Sequence, residues 1–255
     1  QTCALPISST YPADRYMLIF WNHGGGSTSG VCFDETADYD GLTIHEINDA
    51  LYNFTEANPD FHLDLIGFDA CLMATYEAAA HMQYYADFMV ASEELEPSLG
   101  WNYAWLNALG ENPALDAQGI GVAIADAYME ACLDENPDDY LSMSVLYLPA
   151  MDYLVSTMET YASYLSQALD AGQLSTFSRA RQRMYAFGDF DSATSDMVDM
   201  MALIDGTRTI APQTADVLQT AYERVVRYNV GTRKFDYLTG MSVYFPSGSY
   251  EGDGC

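Results

Sequence analysis

The chain has 255 residues, of which 49% are hydrophobic, and its nine basic and 37 acidic residues give a formal net charge of −28. This length and hydrophobic content allow a full buried core, in one large domain or two small ones. No apolar run approaches the roughly 18 residues of a membrane-spanning helix, so we expect no membrane span. So negative a protein repels nucleic acid and attracts cationic ligands.

The acidic residues are unevenly distributed along the chain. Residues 1–178 contain 27 acidic residues and one arginine, Arg15, whereas residues 179–255 contain ten acidic and eight basic residues. This asymmetry suits a protein that binds cationic ligands, and it equally suits a secreted or salt-adapted protein that stays soluble through its charge.

The five cysteines show no spacing that indicates zinc ligands, so we expect neither a structural metal nor a disulfide framework. We expect residues 1–8 to be a non-native leader or the start of a fragment. Residues 9–255 are then expected to form a single domain that is truncated at both ends.

Strand and helix signals alternate along the first third of the chain. Apolar runs predict strands at Tyr16–Trp21, Leu63–Phe68 and Phe88–Ala91, and helical periodicity predicts helices at 43–57 and 72–85. Further helices are predicted at 101–109, 116–132, 150–170, 175–186 and 212–228, with strands near 142–147 and 241–245. This alternation predicts an α/β protein, a three-layer αβα sandwich around a mostly parallel sheet.

Two predicted strands end next to residues that are suited to nucleophilic catalysis. His23 follows the strand at 16–21, and Cys71 follows the strand at 63–68. Because reactive groups of parallel sheets lie at the carboxyl ends of neighbouring strands, we expect the imidazole and the thiol to share one edge. We also expect Cys71 to begin a helix that lowers the pKa of its thiol, and the N–H groups of Gly24 and Cys71 to hold an oxyanion.

These residues and their surroundings resemble the clostripain family of cysteine peptidases. The resemblance rests on Asn22-His23-Gly24-Gly25-Gly26 and Asp69-Ala70-Cys71-Leu72-Met73, and it extends to DGLTIHE at 40–46, ASEE at 91–94, GWNY at 100–103 and GMSVYFP at 240–246. It therefore covers nearly everything from residue 14 to residue 246. It implies the caspase-like fold shared with legumains and gingipains, a His23–Cys71 dyad, and Asp69 at the base of a pocket for a P1 Arg or Lys.

The acidic residues near Cys71 suit that implied specificity, because a cationic side chain entering a pocket needs a partly buried carboxylate. Asp69 is close enough in sequence to line the same pocket as Cys71. Glu93 and Glu94 follow the strand at 88–91. They either supply a second acidic wall of the P1 pocket, for which Glu93 is the candidate, or they are solvated charges in a loop. Cys32 and Cys132 lack a strand-end position, so we expect them to be buried or incidental.

An acidic loop follows the predicted His23 strand. Its carboxylates could hold Ca²⁺, on which some members of the family depend, although their spacing is not that of an EF-hand and a solvated loop is the alternative. The residues are Asp34, Glu35, Asp38 and Asp40. No other cofactor is expected.

The sequence therefore predicts a cysteine endopeptidase that cleaves protein or peptide substrates after Arg or Lys, in a secreted or cell-envelope bacterial protein. The alternative is a catalytically silent peptidase-like module that binds cationic peptides. One feature departs from the family pattern. Members commonly cut themselves after a basic residue between the catalytic His and Cys, but residues 24–70 contain no Lys or Arg.

Overall fold

The computed structural model describes residues 10–188, 195–232 and 238–247, so the expected leader at residues 1–8 lies outside it. The strands are β1 (Met17–Trp21), β2 (Val31–Asp34), β3 (Asp40–Leu42), β4 (Leu63–Asp69), β5 (Ala86–Ala91), β6 (Ser142–Tyr147), β7 (Met197–Asp199), β8 (Val226–Gly231) and β9 (Ser242–Tyr244). The α-helices are α1 (Gly26–Ser29), α2 (Ile44–Ala57), α3 (Tyr76–Met82), α4 (Leu106–Glu111), α5 (Ala117–Glu135), α6 (Met151–Asp170), α7 (Leu174–Arg181), α8 (Met200–Thr207) and α9 (Pro212–Val225).

The central sheet has five strands in the order β1-β4-β5-β6-β8. Strands β1, β4 and β5 are mutually parallel, whereas β6 runs antiparallel to both of its neighbours, β5 and β8. The predicted mostly parallel sheet is therefore confirmed. The remaining strands form two small antiparallel pairs, β2 with β3 and β7 with β9.

Helices cover both faces of the sheet, which confirms the predicted αβα sandwich. On one face, Leu65 of β4 and Val145 of β6 pack against α5 and two tryptophans, Trp101 and Trp105. The opposite face packs against helices α2, α3, α6, α8 and α9. Each large apolar side chain that is buried in this way contributes about 1.5–3 kcal/mol to the stability of the folded chain. This packing holds the sheet rigid, and with it the strand ends from which the loops of the cleft project.

Four strands and two helix ends differ from the expectations. Strands β2, β3 and β7 were not predicted, because they are only three or four residues long. The helix predicted at 175–186 ends at Arg181, and the one predicted at 212–228 ends at Val225. Strand β8 follows α9 without a turn and pairs with β6, so tertiary pairing overrides the helical pattern there.

Membrane insertion finds no support among the described helices. None of them is both long and apolar enough to cross a lipid bilayer.

Candidate active site

The candidate site lies at the carboxyl ends of β1 and β4, as predicted. In the register of these parallel strands Trp21 is the direct partner of Asp69, so His23 and Cys71 each lie two residues beyond a matched pair. Both side chains line one cleft of about 300 Å³. Its other lining residues are Trp21, Asn22, Asp69, Ala70, Glu96, Pro97, Ser98 and Gly100.

Gly24 brings the His23 loop into direct contact with the Cys71 loop. A Cβ atom at position 24 would lie 2.3 Å from the carbonyl oxygen of Cys71 and 3.1 Å from its nitrogen, so only glycine fits without displacing one loop. The residue before His23, Asn22, has a φ of +150°, which is a strained conformation for a residue with a side chain. The two loops therefore reach this contact through unusual backbone on the His23 side.

The imidazole of His23 lies at the exposed rim of the cleft, beside Glu35. Its Nε2 lies 3.5 Å from Oε1 of Glu35, and about two-thirds of each side chain is exposed (67% and 64%). The backbone of His23 is held in place, because its carbonyl oxygen accepts a hydrogen bond of 2.9 Å from the N–H of Cys32. An exposed pair of this kind adds little stability, so the ring can turn without a large cost.

The thiol of Cys71 is surrounded by backbone N–H groups. Its Sγ accepts a hydrogen bond of 3.2 Å from the N–H of Glu96. Burial raises the pKa of the Cys71 thiol above its ordinary value, and the negative charge of Glu96 raises it further. The N–H groups of Glu96, Cys71 and Gly24 act in the opposite direction and lower the pKa. The arrangement thus protects a neutral thiol while providing donors for an anion that forms there.

The expectation that Cys71 begins a helix is wrong. Helix α3 begins at Tyr76, and its N-cap is Thr75, whose side chain accepts the N–H of Ala78. Between the strand and the helix, Leu72 has a φ of +65°, and its N–H donates to the carbonyl of Glu94 over 3.1 Å. Cys71 therefore lies in the loop before the helix, and its thiol receives no pKa-lowering effect from a helix dipole.

Asp69 lies at the base of the cleft, and only 3% of the residue is exposed. Its Oδ1 accepts the backbone N–H of Trp101 at 2.9 Å, and its Oδ2 accepts the hydroxyl of Tyr103 at 3.1 Å. Burial raises the pKa of this carboxyl, while the two hydrogen bonds oppose the rise. Gly100 allows the close approach, since a Cβ there would lie 3.0 Å from Oδ1.

Glu93 does not line the cleft, which corrects the suggestion that it forms part of the P1 pocket. The residue is fully buried, and its Oε2 accepts the N–H of Gly240 at 2.9 Å. Burial raises the pKa of Glu93 far above its ordinary value, and the neighbouring carboxylate of Asp199 raises it further. Its role is structural: a carboxyl that anchors the 238–247 segment.

Glu94 is buried as well, so the alternative of solvated loop charges is also wrong for both residues. Its Oε1 accepts the N–H groups of Leu95 and Gly188, and its Oε2 accepts the hydroxyl of Tyr185. Glu93 and Glu94 therefore both hold neighbouring chain segments together. The oxygens of Glu94 are occupied by these contacts and are not available to a ligand in the cleft.

Glu96 is the acidic residue of the cleft that the sequence did not reveal. Its backbone N–H donates to the Cys71 thiol, and both of its carboxylate oxygens are buried beside the N–H groups of Trp101 and Ala70. Burial raises its pKa well above the ordinary value, and the charge of Asp69 raises it further. The only sequence signal was its position directly before Pro97 and near Gly100, and that signal does not give the direction of a side chain.

The acidic loop that was considered for Ca²⁺ is the turn between β2 and β3. Oδ1 of Asp34 accepts the N–H and the hydroxyl of Thr36, and Glu35 faces His23. Within residues 10–188, 195–232 and 238–247, no three His, Cys, Asp or Glu side chains converge as a metal ion would require. Calcium dependence stays a prediction.

The other described cysteines, Cys32 and Cys132, have environments that disfavour a thiolate. Burial raises the pKa of the Cys132 thiol to about 12. Burial also raises the pKa of Cys32, and its Sγ lies 3.6 Å from the carbonyl oxygen of Trp21. Neither side chain lines the cleft of Cys71.

Comparison with known proteins places this site in a family. Residues 5–249 match the sequence model of the clostripain family. Clostripain of Hathewaya histolytica is 35% identical over 113 aligned positions, which cover 37% of this chain and 20% of clostripain. The chain thus matches about a fifth of the length of that relative.

Two solved structures share the fold. A secreted C11 cysteine protease from Bacteroides thetaiotaomicron, in complex with an irreversible peptide inhibitor, superposes with a TM-score of 0.69 at 20% identity, covering 97% of this chain and 69% of that one. An inactive zymogen C11 protease from Parabacteroides distasonis gives 0.63 at 19% identity, covering 94% and 66%. These likenesses confirm the caspase-like fold, and the match of the family model over nearly the whole chain shows that this protein belongs to the clostripain family.

Proposed function

We propose that the protein is a cysteine endopeptidase that hydrolyses peptide bonds after Arg or Lys, with Cys71 as nucleophile and His23 as its acid/base partner. The observation that supports this most is the pairing of Trp21 with Asp69 in the sheet, since it brings His23, Cys71 and a buried carboxylate to one cleft. Membership of the clostripain family supports the same reaction.

The reaction begins with proton transfer from the Cys71 thiol to the His23 imidazole. The thiolate then attacks the carbonyl carbon of the P1 residue, and the resulting oxyanion accepts the N–H groups of Gly24 and Cys71, the donors that already favour an anion beside Sγ. As the C–N bond breaks, His23 returns the proton to the leaving amine. Water then attacks the thioester, and the carboxylic acid leaves while the thiol is restored.

The raised pKa of the Cys71 thiol fits this order of events. Burial disfavours the thiolate, so the proton of Cys71 must pass to a nearby base before attack. Most of the His23 side chain is exposed, and its pair with Glu35 is weak, so its ring can turn toward the thiol when a substrate covers the cleft.

Specificity for a basic P1 residue would come from Asp69 at the base of the cleft. Its carboxylate accepts hydrogen bonds from Trp101 and Tyr103, and no Lys or Arg side chain of the described residues forms a salt bridge with it, which favours entry of a guanidinium or an ammonium group. The negative charge of the whole chain would also attract basic peptides. Since the likeness to a secreted protease suits a strongly acidic protein, we further propose a secreted or cell-envelope location.

A catalytically silent module that binds cationic peptides is the second candidate, and the acidic base of the cleft would serve it equally well. An arginyl chloromethyl ketone separates the two. We expect it to alkylate wild-type protein at Cys71 within minutes and to leave Cys71→Ala unlabelled, with Cys32→Ala as the matched control that labels normally. Reversible binding without a covalent adduct on the wild-type protein would favour the silent module.

A further inference from the structure

A second recess, the Tyr140 recess, lies beside the cleft of Cys71 along the same edge of the sheet. Its volume is about 650 Å³, compared with about 300 Å³ for the cleft, and residues 96–98 form a wall that the two share. Beyond this wall the recess is bounded by Asp139 and Tyr140, which precede β6, and by Tyr185. Because β6 runs antiparallel to β5, its start lies at the sheet edge where β5 ends, and the recess continues the cleft toward β6.

The Tyr140 recess offers mostly apolar and aromatic surface. Leu95 and Pro97 line it on the side of the shared wall, and the opposite side carries Tyr140 and Tyr185, which are 52% and 38% exposed. Tyrosine rings are effective binding surfaces, because they bury a large area and have few rotatable bonds to immobilise. An apolar or aromatic side chain therefore suits the recess, whereas the carboxylate of Asp139 repels an acidic one.

Hydrogen bonds connect the recess to the loop of the nucleophile. Oε2 of Glu94 accepts the hydroxyl of Tyr185 at 2.9 Å, and the carbonyl of Glu94 accepts the N–H of Leu72, the residue after Cys71, at 3.1 Å. The ring of Tyr185 also packs edge-on against Phe187, with ring centroids 5.5 Å apart. Tyr185 is therefore fixed relative to the thiol, so that a side chain bound against it helps to position the scissile bond.

The order of the strands decides which part of a substrate reaches the recess. His23 follows β1 and returns the proton to the leaving amine, so the residues C-terminal to the scissile bond lie on the β1 side of Cys71. The sheet order β1-β4-β5-β6 puts the recess on the other side of Cys71. The residues N-terminal to P1 therefore extend toward the recess.

We propose that the Tyr140 recess binds an apolar or aromatic side chain of the substrate at P2, P3 or P4, the residues that precede P1. The inference rests on the proposed function, because it assigns a second binding site to the same substrate. The enzyme then makes two separate selections, one at P1 in the cleft and one at a preceding residue in the recess.

Acetylated tetrapeptide amides with Arg at P1 and a varied residue at P2, P3 or P4 test this selection. We expect the wild-type chain to prefer Phe or Leu over Gly by about tenfold in kcat/KM at one of these positions, as for filling an apolar pocket. Tyr140→Ala should lower this ratio by about fivefold, mainly through KM, because the ring contributes to binding and not to the chemical step.

The matched control is Tyr164→Ala, which removes a ring of similar exposure (49%) from α6 and lines neither the recess nor the cleft. It should leave the ratio of Phe to Gly unchanged. For each variant, kcat/KM for the tetrapeptide is divided by kcat/KM for acetyl-arginine methyl ester, which has no residue before P1. A general loss of folded enzyme then cancels from the comparison.

The outcomes separate this inference from the proposed function. If the wild-type chain cleaves after Arg but shows no apolar preference at P2–P4, or if Tyr140→Ala keeps the full preference, the recess does not bind the substrate. Should Tyr140→Ala fail to fold, the wild-type profile decides alone, and a preference for basic or acidic residues at P2–P4 overturns the inference. Absence of turnover of every arginyl substrate by the wild-type chain refutes the proposed function, and this inference with it.

Discussion

Replacing Gly24 with alanine should impair catalysis by pushing two loops apart. The added Cβ would lie 2.3 Å from the carbonyl oxygen of Cys71, whereas ordinary contacts begin at 3.4 Å, so one loop must move by about 1 Å. That movement displaces both the N–H of Gly24 and the neighbouring His23 relative to the thiol. A misplacement of this size costs about 10²-fold in rate, and loss of one oxyanion donor costs about 10²–10³-fold.

We therefore expect Gly24→Ala to lower kcat by at least about 10²-fold, with a smaller change in KM, because the pocket base at Asp69 stays in place. Steady-state cleavage of an arginyl peptide substrate measures it, and thermal melting checks that the variant folds. Gly110→Ala is the matched control, since a Cβ at position 110 has open space around it. If Gly24→Ala keeps more than about a third of wild-type kcat, the oxyanion does not depend on Gly24 and the mechanism is mistaken on this point.

Three further expectations concern specificity, the other thiols and maturation. Asp69→Asn should lower kcat/KM for basic P1 substrates by roughly ten- to a hundredfold, as for the loss of about 1.5–3 kcal/mol from a charge-assisted contact, and a peptide library that shows a preference for Leu or Asp at P1 would contradict the assignment. Cys132→Ala should keep turnover within a few-fold of the wild-type value, because burial raises the pKa of that thiol to about 12. A complete loss of turnover in a folded variant would mean that Cys71 is not the nucleophile. Incubation beside Cys71→Ala, with fragment termini read by mass spectrometry, should show no Cys71-dependent cut in residues 24–70, which contain no Lys or Arg.

The sheet and the meeting of His23 with Cys71 could be predicted because their signals are local and strong. Runs of consecutive apolar residues mark strands that are covered on both faces, and β4 is such a strand, with zero exposure at Leu65, Ile66 and Phe68. The helix that connects two such strands makes them parallel neighbours. That the ends of β1 and β4 lie side by side can then be predicted without any knowledge of side-chain packing.

The acidic residues around the thiol could not be placed in this way. The segment after β5 is irregular, so no period of two or 3.6 residues tells which side chain faces the cleft. Glu93 binds Gly240, a residue 147 positions away, and this long-range contact decides its direction. The start of α3 was predicted too early for a similar reason. The apolar Leu72 and Met73 continue the helical pattern in the sequence, but hydrogen bonds to the carbonyls of Ser92 and Glu94 hold the backbone there in a loop.

The proposed mechanism requires one nucleophile and one acid/base partner in the same cleft, and the kcat values of Cys71→Ala and His23→Ala test this requirement most directly. With an arginyl peptide substrate we expect no detectable turnover from Cys71→Ala and a loss of at least about 10²–10⁴-fold from His23→Ala, the usual contribution of a general acid or base. His45→Ala, on an exposed helix face away from the cleft, serves as the control and should retain wild-type kcat. Folded Cys71→Ala or His23→Ala protein that keeps wild-type turnover would contradict the dyad.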